Sequence, residues 1–142
     1  MILKHILCAK GGAVVSIAPG ETLKAAARLM ASRGIGALVV RDETGTILGI
    51  FSERDMLLAL ADEGEAVFTR SVADLMSADI LALTQEAEVN DVMALMTERR
   101  KRHFPVVEDG VLVGIVSIGD IVKHKIAEAE QEARALKAYI AG

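Results

Sequence analysis

The sequence has few aromatic residues and almost no cysteine. Aromatic side chains make up 3% of the 142 residues, with no Trp, one Tyr and three Phe. Any core must therefore be built from Ala, Val, Ile, Leu and Met, which are too abundant for a disordered chain. The single cysteine, Cys8, excludes an internal disulfide and cannot complete a zinc site alone. A reducing compartment suits such a chain, so we expect a cytoplasmic protein.

Long apolar runs are also missing, although 52% of the residues are hydrophobic. A membrane-spanning helix needs roughly 20 apolar residues in succession. The strongly apolar stretches here, such as Met56 to Ala61, are much shorter and are bounded by charges. Lys4 and Lys10 interrupt the only stretch that resembles a signal peptide. The net charge of −4 shows no basic excess. We therefore expect no membrane partner and do not favour a nucleic-acid partner.

An internal duplication organises the chain. Residues 48–55 (LGIFSERD) recur as residues 113–120 (VGIVSIGD), at an offset of 65. Apolar runs at 37–40 and 104–107 precede the two copies, and each run is followed by a turn of Asp, Glu and Gly. Further upstream, apolar residues at helical spacing also recur, as do two short leaders. The stripes are Leu23, Ala26, Ala27, Met30 and Val89, Val92, Met93, Met96; the leaders are Leu3, Ile6, Leu7 and Val72, Leu75, Met76.

The duplication predicts an α/β (α+β) fold made of two β-α-β-β-α motifs. Strands are predicted near 14–16, 37–41 and 47–51 in the first half, and near 80–82, 104–107 and 112–116 in the second. Helices are predicted near 22–33 and from about 52, then near 88–101 and from about 117. Half the chain is too small to bury a good core alone. We expect the motifs to pack pseudo-two-fold through their sheets, with clefts between them. The expected boundaries are 1–66 and 67–125 for the motifs and 126–142 for a C-terminal helix extension.

The duplicated pattern Gly-hydrophobic-hydrophobic-Ser-x-x-Asp carries the strongest functional signal. Ser-x-x-Asp where a helix follows a strand is typical of a capping box, with Ser52 and Ser117 as N-caps. The same junction also suits a ligand. Free N–H groups at a helix start favour phosphate, and a carboxylate suits paired ribose hydroxyls. The glycines of the pattern, Gly49 and Gly114, would let another group approach the backbone closely. Capping and binding are compatible, and both interpretations stay open.

These motifs resemble a tandem pair of cystathionine β-synthase (CBS) domains, a Bateman module. The resemblance extends from about Leu3 to Val122 and depends on the doubled motif and the Val-Val strands before it. It implies a regulatory, non-catalytic module that binds adenosine derivatives between its two motifs. AMP, ADP and ATP are the usual ligands, with NAD(H) and S-adenosylmethionine as variants. No cofactor is required.

The resemblance also implies which residues bind the ligand. Asp55 and Asp120 would take the ribose hydroxyls, with Ser52 and Ser117 beside them. The segment before each second strand would line the base through its backbone; these residues are Gly36, Ala37 and Leu38 in the first copy and His103, Phe104 and Pro105 in the second. Arg102 and His103 would suit a phosphate, and Arg54 is available to the other site. The copies differ at Leu38, which stands where the family prefers the proline found at Pro105. They also differ in charge: the second copy has Arg102 and His103 where the first has Ile35 and Gly36, and the first has Glu53 and Arg54 where the second has Ile118 and Gly119. We therefore expect two unequal sites.

The basic run at 99–103 has three interpretations. Cations at the end of a helix complement its dipole and its free carbonyls. Arg102 and His103 are also candidates for phosphate binding. A nucleic-acid patch is the least favoured, because the second half is acidic and lacks stacking aromatics. His5, His103 and His124 show no metal-ligand spacing, so no metal site is expected. No catalytic motif such as a P-loop or a nucleophile elbow occurs, so we expect no enzyme.

The last helix continues past the duplication with a short heptad seam. Its apolar positions alternate spacings of four and three; they are Val122, Ile126, Ala129, Ala133, Leu136 and Ile140. Either this seam docks on its own module or it takes part in self-association, and we favour a homodimer.

The sequence therefore predicts a stand-alone sensor that binds adenine nucleotides and signals through shape or association to a regulated protein. Three alternatives stay open: a scaffold without ligand, a sensor of NAD(H) or S-adenosylmethionine, and a nucleic-acid binder.

Overall fold

The computed structural model describes residues 1–11 and 14–141. The chain divides into two compact units, one of Ala13–Leu81 and one of Met1–Gly12 with Ala82–Gly142. Each unit contains one copy of the duplicated motif. The elements in chain order are α1 (Leu3–Lys10), β1 (Ser16–Ile17), α2 (Leu23–Arg33), β2 (Ala37–Arg41), β3 (Ile47–Ser52), α3 (Glu53–Glu63), a 3₁₀ helix (Gly64–Thr69), α4 (Val72–Leu75), α5 (Val89–Arg99), β4 (His103–Glu108), β5 (Val111–Ser117) and α6 (Ile118–Ala141).

The unit Ala13–Leu81 contains a three-stranded sheet in the order β1-β2-β3. β1 runs parallel to β2, and β2 runs antiparallel to β3. The register pairs Ala37 with Ser52, so the start of β2 lies beside the end of β3. Core side chains come from the strands and from the helices that cover them; the buried set is Ile17, Leu23, Ala26, Met30, Leu38, Val40, Phe51, Ala59, Val67 and Val72.

Helix α2 confirms the predicted apolar stripe. The Thr22 hydroxyl accepts a hydrogen bond from the amide of Ala25 at 3.1 Å and caps the N-terminus. Leu23, Ala26 and Met30 are buried on one face. The helix ends at Gly34, which has a φ of 62° in the left-handed region that glycine adopts at little cost.

The other unit is built around the antiparallel pair β4–β5, whose register places His103 beside Ser117. The predicted strand near 80–82 is wrong. Only Leu83 forms a bridge there, parallel to Val106: its amide donates to the carbonyl of Pro105 at 2.9 Å, and its carbonyl accepts from the amide of Val107 at 2.8 Å. The residues that follow do not pair with β4. The carbonyls of Gln85 and Ala87 instead accept from the amides of Lys4 and Leu3, at the start of α1, at 3.0 and 2.9 Å. In the first half, β1 begins at Ser16, two residues later than the predicted start.

Both leaders of the duplication form helices, which the sequence analysis did not predict. Leu3–Lys10 precedes the first motif in the chain but belongs to the unit that contains the second motif. Val72–Leu75 belongs to the unit of the first motif. Leu3 and Val72, at equivalent positions of the two leaders, are each fully buried.

Helix α6 runs without a break from Ile118 to Ala141. The predicted extension at 126–142 is thus a continuation of the helix that follows Ser117, and its last residue, Gly142, lies outside the described residues. No helix in the described ranges combines the length and the apolar character that crossing a bilayer requires.

Candidate functional site

The first Ser-x-x-Asp motif forms a capping box where β3 meets α3. The Ser52 hydroxyl accepts a hydrogen bond from the amide of Asp55 at 3.2 Å. In return, Asp55 Oδ2 accepts from the amide of Ser52 at 2.9 Å and from its hydroxyl at 3.0 Å. Two backbone amides at the helix start are thereby satisfied, which confirms the capping interpretation for this copy.

The second copy forms the same arrangement where β5 meets α6. The amide of Ser117 donates to Asp120 Oδ2 at 2.9 Å, and the amide of Asp120 donates to the Ser117 hydroxyl at 3.1 Å. Both aspartates remain partly exposed to solvent. A carboxylate has about four acceptor positions, so capping leaves Asp55 and Asp120 with capacity for a ligand.

The segments expected to line a base lie beside these junctions within each unit. In the first, the amide of Glu53 donates to the carbonyl of Gly36 at 3.0 Å, and Ala37 pairs with Ser52. In the second, the amide of Ile118 donates to the carbonyl of Arg102 at 2.8 Å. The pairing of β4 with β5 also sets His103 against Ser117. The structure therefore brings each predicted segment to its own motif.

The side chains in these segments divide into buried and accessible groups. Those of Ala37, Leu38, Phe104 and Pro105 are buried, so only their backbone is available to a ligand. Arg54 and Arg102 are exposed, and Gly36 and His103 are half-buried. Arg100 has a φ of 54° and ends α5, so the basic run does begin at a helix C-terminus.

Lys10 is a site residue that the sequence analysis missed. Its ammonium group donates to Asp120 Oδ2 at 2.9 Å and to the carbonyl of Ile115 at 2.9 Å. Burial opposes ionisation of Asp120, but hydrogen bonds from Lys10 and Ser117 and the charge of Lys10 outweigh it, so the pKa of Asp120 is lowered. The second junction thus holds an ion pair at its helix start.

The aspartate of the first junction has a neutral partner instead. The hydroxyl of Ser77 donates to Asp55 Oδ1 at 3.1 Å. Lys10 is the last residue of α1 and Ser77 is the second residue after α4, so each lies at the C-terminal end of a leader helix. At the leaders' offset of 69 (Leu3 with Val72), Lys10 aligns with Asp79 and Ser77 with Cys8, so aligning the leaders does not identify this pair. Nothing in the spacing shows, either, that the first leader joins the second motif. The two junctions therefore differ in local charge for a reason that only the fold reveals.

The Lys10–Asp120 pair is expected to make stability depend on pH in the acid range. Since the folded state lowers the pKa of Asp120 from its ordinary 3.8, the pair stabilises the protein above that value. This contribution is lost as the pH falls through the folded-state pKa. Both side chains are partly exposed, so Lys10→Met is expected to cost about 0.5–1 kcal/mol near neutral pH. Urea unfolding across a pH series would measure it.

The control for that series is Lys4→Met, because Lys4 is an exposed lysine on the same helix. The stability difference between the wild type and Lys10→Met should narrow as the pH drops below about 4, whereas the Lys4→Met difference should stay constant. A Lys10→Met difference that does not narrow in acid would contradict the ion-pair assignment.

Protein atoms, rather than open space for a ligand, lie against the two motif glycines. A Cβ at Gly49 would stand 2.6 Å from the carbonyl oxygen of Ser77 and 2.7 Å from the Met76 sulfur. A Cβ at Gly114 would stand 2.7 Å from a terminal methyl of Leu7. The expectation that these glycines admit a ligand is therefore corrected, since their space is used by the residues after α4 and by α1.

A shallow groove lies at the other end of the first sheet, lined by residues 16–20 and 41–45. The carboxylate of Asp42, which lines this groove, stabilises the turn between β2 and β3: its Oδ1 accepts from the amides of Thr44 and Thr46 at 2.9 and 3.0 Å. The Thr44 hydroxyl donates to the same oxygen, and this hydrogen bond, with those from the turn amides, holds the pKa of Asp42 below its ordinary value. β2 runs from Ala37 to Arg41, so this groove is separated from the Ser52 junction by the length of the strand. Among the described residues, no cluster of three or more His, Cys, Asp or Glu is placed to bind a metal.

Comparison with known proteins agrees with this arrangement. A family model, the CBS domain, matches residues 12–62 and again residues 72–127. The chain is 36% identical over 126 residues to the mitochondrial CBS domain-containing protein CBSX3 of Arabidopsis thaliana, which covers 86% of this chain and 61% of that protein. It thus spans about three fifths of the length of curated relatives of this kind.

Solved structures show the same fold. The CBS-domain containing protein ATU1752 from Agrobacterium tumefaciens has a TM-score of 0.86 and 39% identity, covering 88% of this chain and 99% of that one. The CBS domain pair of protein MJ0100, in complex with 5′-methylthioadenosine and S-adenosyl-L-methionine, has a TM-score of 0.80 and 23% identity, covering 90% and 98%. Two matches of one family model, one on each copy of the capped junction, show that the chain belongs to the CBS domain family, as a CBS pair.

Proposed function

We propose that this CBS pair is a non-catalytic sensor that binds adenosine-containing nucleotides, AMP, ADP or ATP, at its two Ser-x-x-Asp junctions. The observation that carries the proposal is the partly exposed carboxylate, Asp55 or Asp120, that each unit holds at a helix N-terminus beside the start of a strand. Binding would alter the association of the protein with a second copy or with a regulated partner.

The chemistry of each junction suits a nucleoside. A carboxylate that already accepts from a backbone amide is held in place and can accept from the neighbouring hydroxyls of a ribose. The side chains of Ala37, Leu38, Phe104 and Pro105 are buried, so a flat base would meet mainly backbone at these residues. Adenosine is the part shared by the two ligands in the MJ0100 complex, and it is the part that this geometry would recognise.

The two junctions would select different groups on the 5′ side of the ribose. A phosphate beside a lone carboxylate is repelled, but Lys10 neutralises Asp120. An ammonium has three N–H donors, and the bonds to Asp120 and to the Ile115 carbonyl leave one for a phosphate oxygen. At Asp55 the partner is the neutral hydroxyl of Ser77, so this junction would bind the phosphate of AMP more weakly than the Asp120 junction and would also accept an uncharged or cationic 5′ group, as in S-adenosylmethionine.

Titration calorimetry with adenosine, AMP, ATP, NADH and S-adenosylmethionine tests the proposal. We expect AMP and ATP to bind. Lys10→Met is expected to lower the affinity of the Asp120 junction for AMP about tenfold, because a charge-assisted hydrogen bond to the phosphate is lost. The affinity for adenosine should change little. Lys4→Met is again the matched control. Absence of heat with every compound would favour the ligand-free scaffold, and equal weakening of adenosine and AMP would contradict the phosphate role of Lys10.

A further inference from the structure

The C-terminal part of α6 exposes an apolar stripe. Val122 is 49% exposed, Ile126 55%, Leu136 60% and Ile140 76%. Ala129 and Ala133 lie between them on the same face and are also exposed. Among the described residues of α6, only Ile121 is buried. The seam is therefore not docked on its own unit, which was one of the two expectations for this segment.

The stripe follows a heptad spacing. With Ile126, Ala133 and Ile140 at positions a, the d positions are Val122, Ala129 and Leu136. The alternation of four and three residues is the pattern by which one helix faces a second helix over its whole length. It predicts a helical partner that runs alongside α6, rather than a pocket that takes a single side chain.

The charges beside the stripe identify that partner. The g positions include Lys125 and Glu132, and the e positions include Glu130 and Lys137. In a parallel, in-register pair of identical helices, each g residue faces the e residue five positions later in the other chain. Lys125 would then face the partner's Glu130, and Glu132 the partner's Lys137. Every such pair joins opposite charges, and two-fold symmetry forms each pair twice.

The antiparallel arrangement lacks this complementarity. With the seams aligned about residue 131, Glu130 would face the partner's Glu130 and Glu132 the partner's Glu132. The like charges would meet at the centre of the contact, which disfavours pairing in this direction. Within its own helix, Lys125 lies 3.7 Å from Glu128, but an exposed pair of this kind contributes little and is easily exchanged.

We propose that α6 pairs with α6 of a second copy of this chain as a short, parallel, in-register coiled coil along residues 122–140. The second copy presents the same stripe and the charges that complement it. About two and a half heptads form a marginal contact on their own, so the dimer is expected to dissociate measurably on dilution. The pairing is expected to form without nucleotide.

Analytical ultracentrifugation of the full chain without nucleotide would measure the dimer Kd and test whether the stripe is the dimer contact. The variant Leu136→Glu is compared with Ala135→Glu. Both positions are exposed on the same turn of α6, but only Leu136 belongs to the stripe. Leu136→Glu is expected to raise the dimer Kd at least about tenfold, since a buried leucine would be replaced by a charge in both copies. Ala135→Glu is expected to leave the Kd within about twofold. A monomeric wild type at all concentrations, or equal Kd values for the two variants, would overturn the proposal.

Charge reversal tests the direction of the pair. In the Glu132→Lys variant, the side chain at 132 would face the partner's Lys137 with the same charge. This is expected to raise the dimer Kd several-fold at low salt. Adding Lys137→Glu restores opposite charges and is expected to restore the Kd. In the antiparallel arrangement position 132 faces itself, so Glu132→Lys would not weaken the dimer and Lys137→Glu would not reverse such a weakening. If the double variant does not recover the wild-type Kd, the parallel assignment is overturned.

Disulfide trapping gives an independent measure of register. In a Cys8→Ser background, which removes the exposed native thiol, we would introduce Val122→Cys or Leu136→Cys. Equivalent d residues of a parallel pair lie within disulfide reach, so each variant is expected to cross-link to itself on mild oxidation. In the antiparallel arrangement the two copies of residue 122 would lie roughly 27 Å apart at 1.5 Å per residue, and cross-linking at neither end would overturn the proposal.

Discussion

Gly49→Ala is expected to lower the free energy of unfolding by about 3 kcal/mol. The added methyl group would stand 2.6 Å from the carbonyl oxygen of Ser77, which is backbone and cannot rotate away. Moving Ser77 would disturb the two hydrogen bonds that join it to Ile50, at 2.9 and 3.0 Å. Overpacking by one methyl and the loss of such bonds each cost of the order of 1–3 kcal/mol.

The equivalent glycine of the other motif is a matched control. At Gly114 the nearest atom is a terminal methyl of Leu7, 2.7 Å from the added Cβ, and Leu7 is only half-buried. Its side chain can adopt another rotamer, so Gly114→Ala is expected to cost less than about 1.5 kcal/mol. Urea unfolding of both variants would measure the difference. Equal losses of stability would contradict the view that the residues after α4 are held rigidly against β3.

The sequence determined most of the regular structure in these units. The stripe of α2 and the paired apolar runs before each motif fixed helices and strands to within about two residues, because burial on one face leaves a periodic pattern. The prediction of a strand near 80–82 was wrong, since a bridge of one residue, Leu83, leaves no such pattern in the sequence. The two leaders were recognised as related, but their four and eight residues were too few to predict helices.

The candidate site shows the same division between local and distant information. Ser52 with Asp55, and Ser117 with Asp120, lie three residues apart, so their capping bonds were predictable from spacing alone. Lys10 reaches Asp120 across 110 positions of sequence, and only the fold brings the two together. A charge difference between the junctions is expected from the sequence, because Arg102 with His103 occurs only in the second copy and Glu53 with Arg54 only in the first. In the structure an additional cause is Lys10 at one junction and Ser77 at the other.

The second large effect is expected in ligand affinity. The double variant Asp55→Ala/Asp120→Ala should weaken AMP binding by about a hundredfold or more, because each site loses charge-assisted hydrogen bonds to the ribose worth about 1.5–3 kcal/mol each. The same change removes the carboxylate side of two capping boxes and is expected to lower stability by about 1 kcal/mol per site. Calorimetric titration and urea unfolding of the same samples would give both quantities.

Ser52→Ala/Ser117→Ala separates the two roles of the junction. It removes the hydroxyl side of both capping boxes, so its stability loss should match that of the aspartate variant. Both carboxylates remain, however, and AMP affinity is expected to fall less than about fivefold. If the two double variants lose stability equally and lose AMP affinity equally, the aspartates act only as caps. Retention of AMP affinity in Asp55→Ala/Asp120→Ala would remove the carboxylates from the ligand site altogether, whereas a loss confined to that variant would assign the ribose to Asp55 and Asp120.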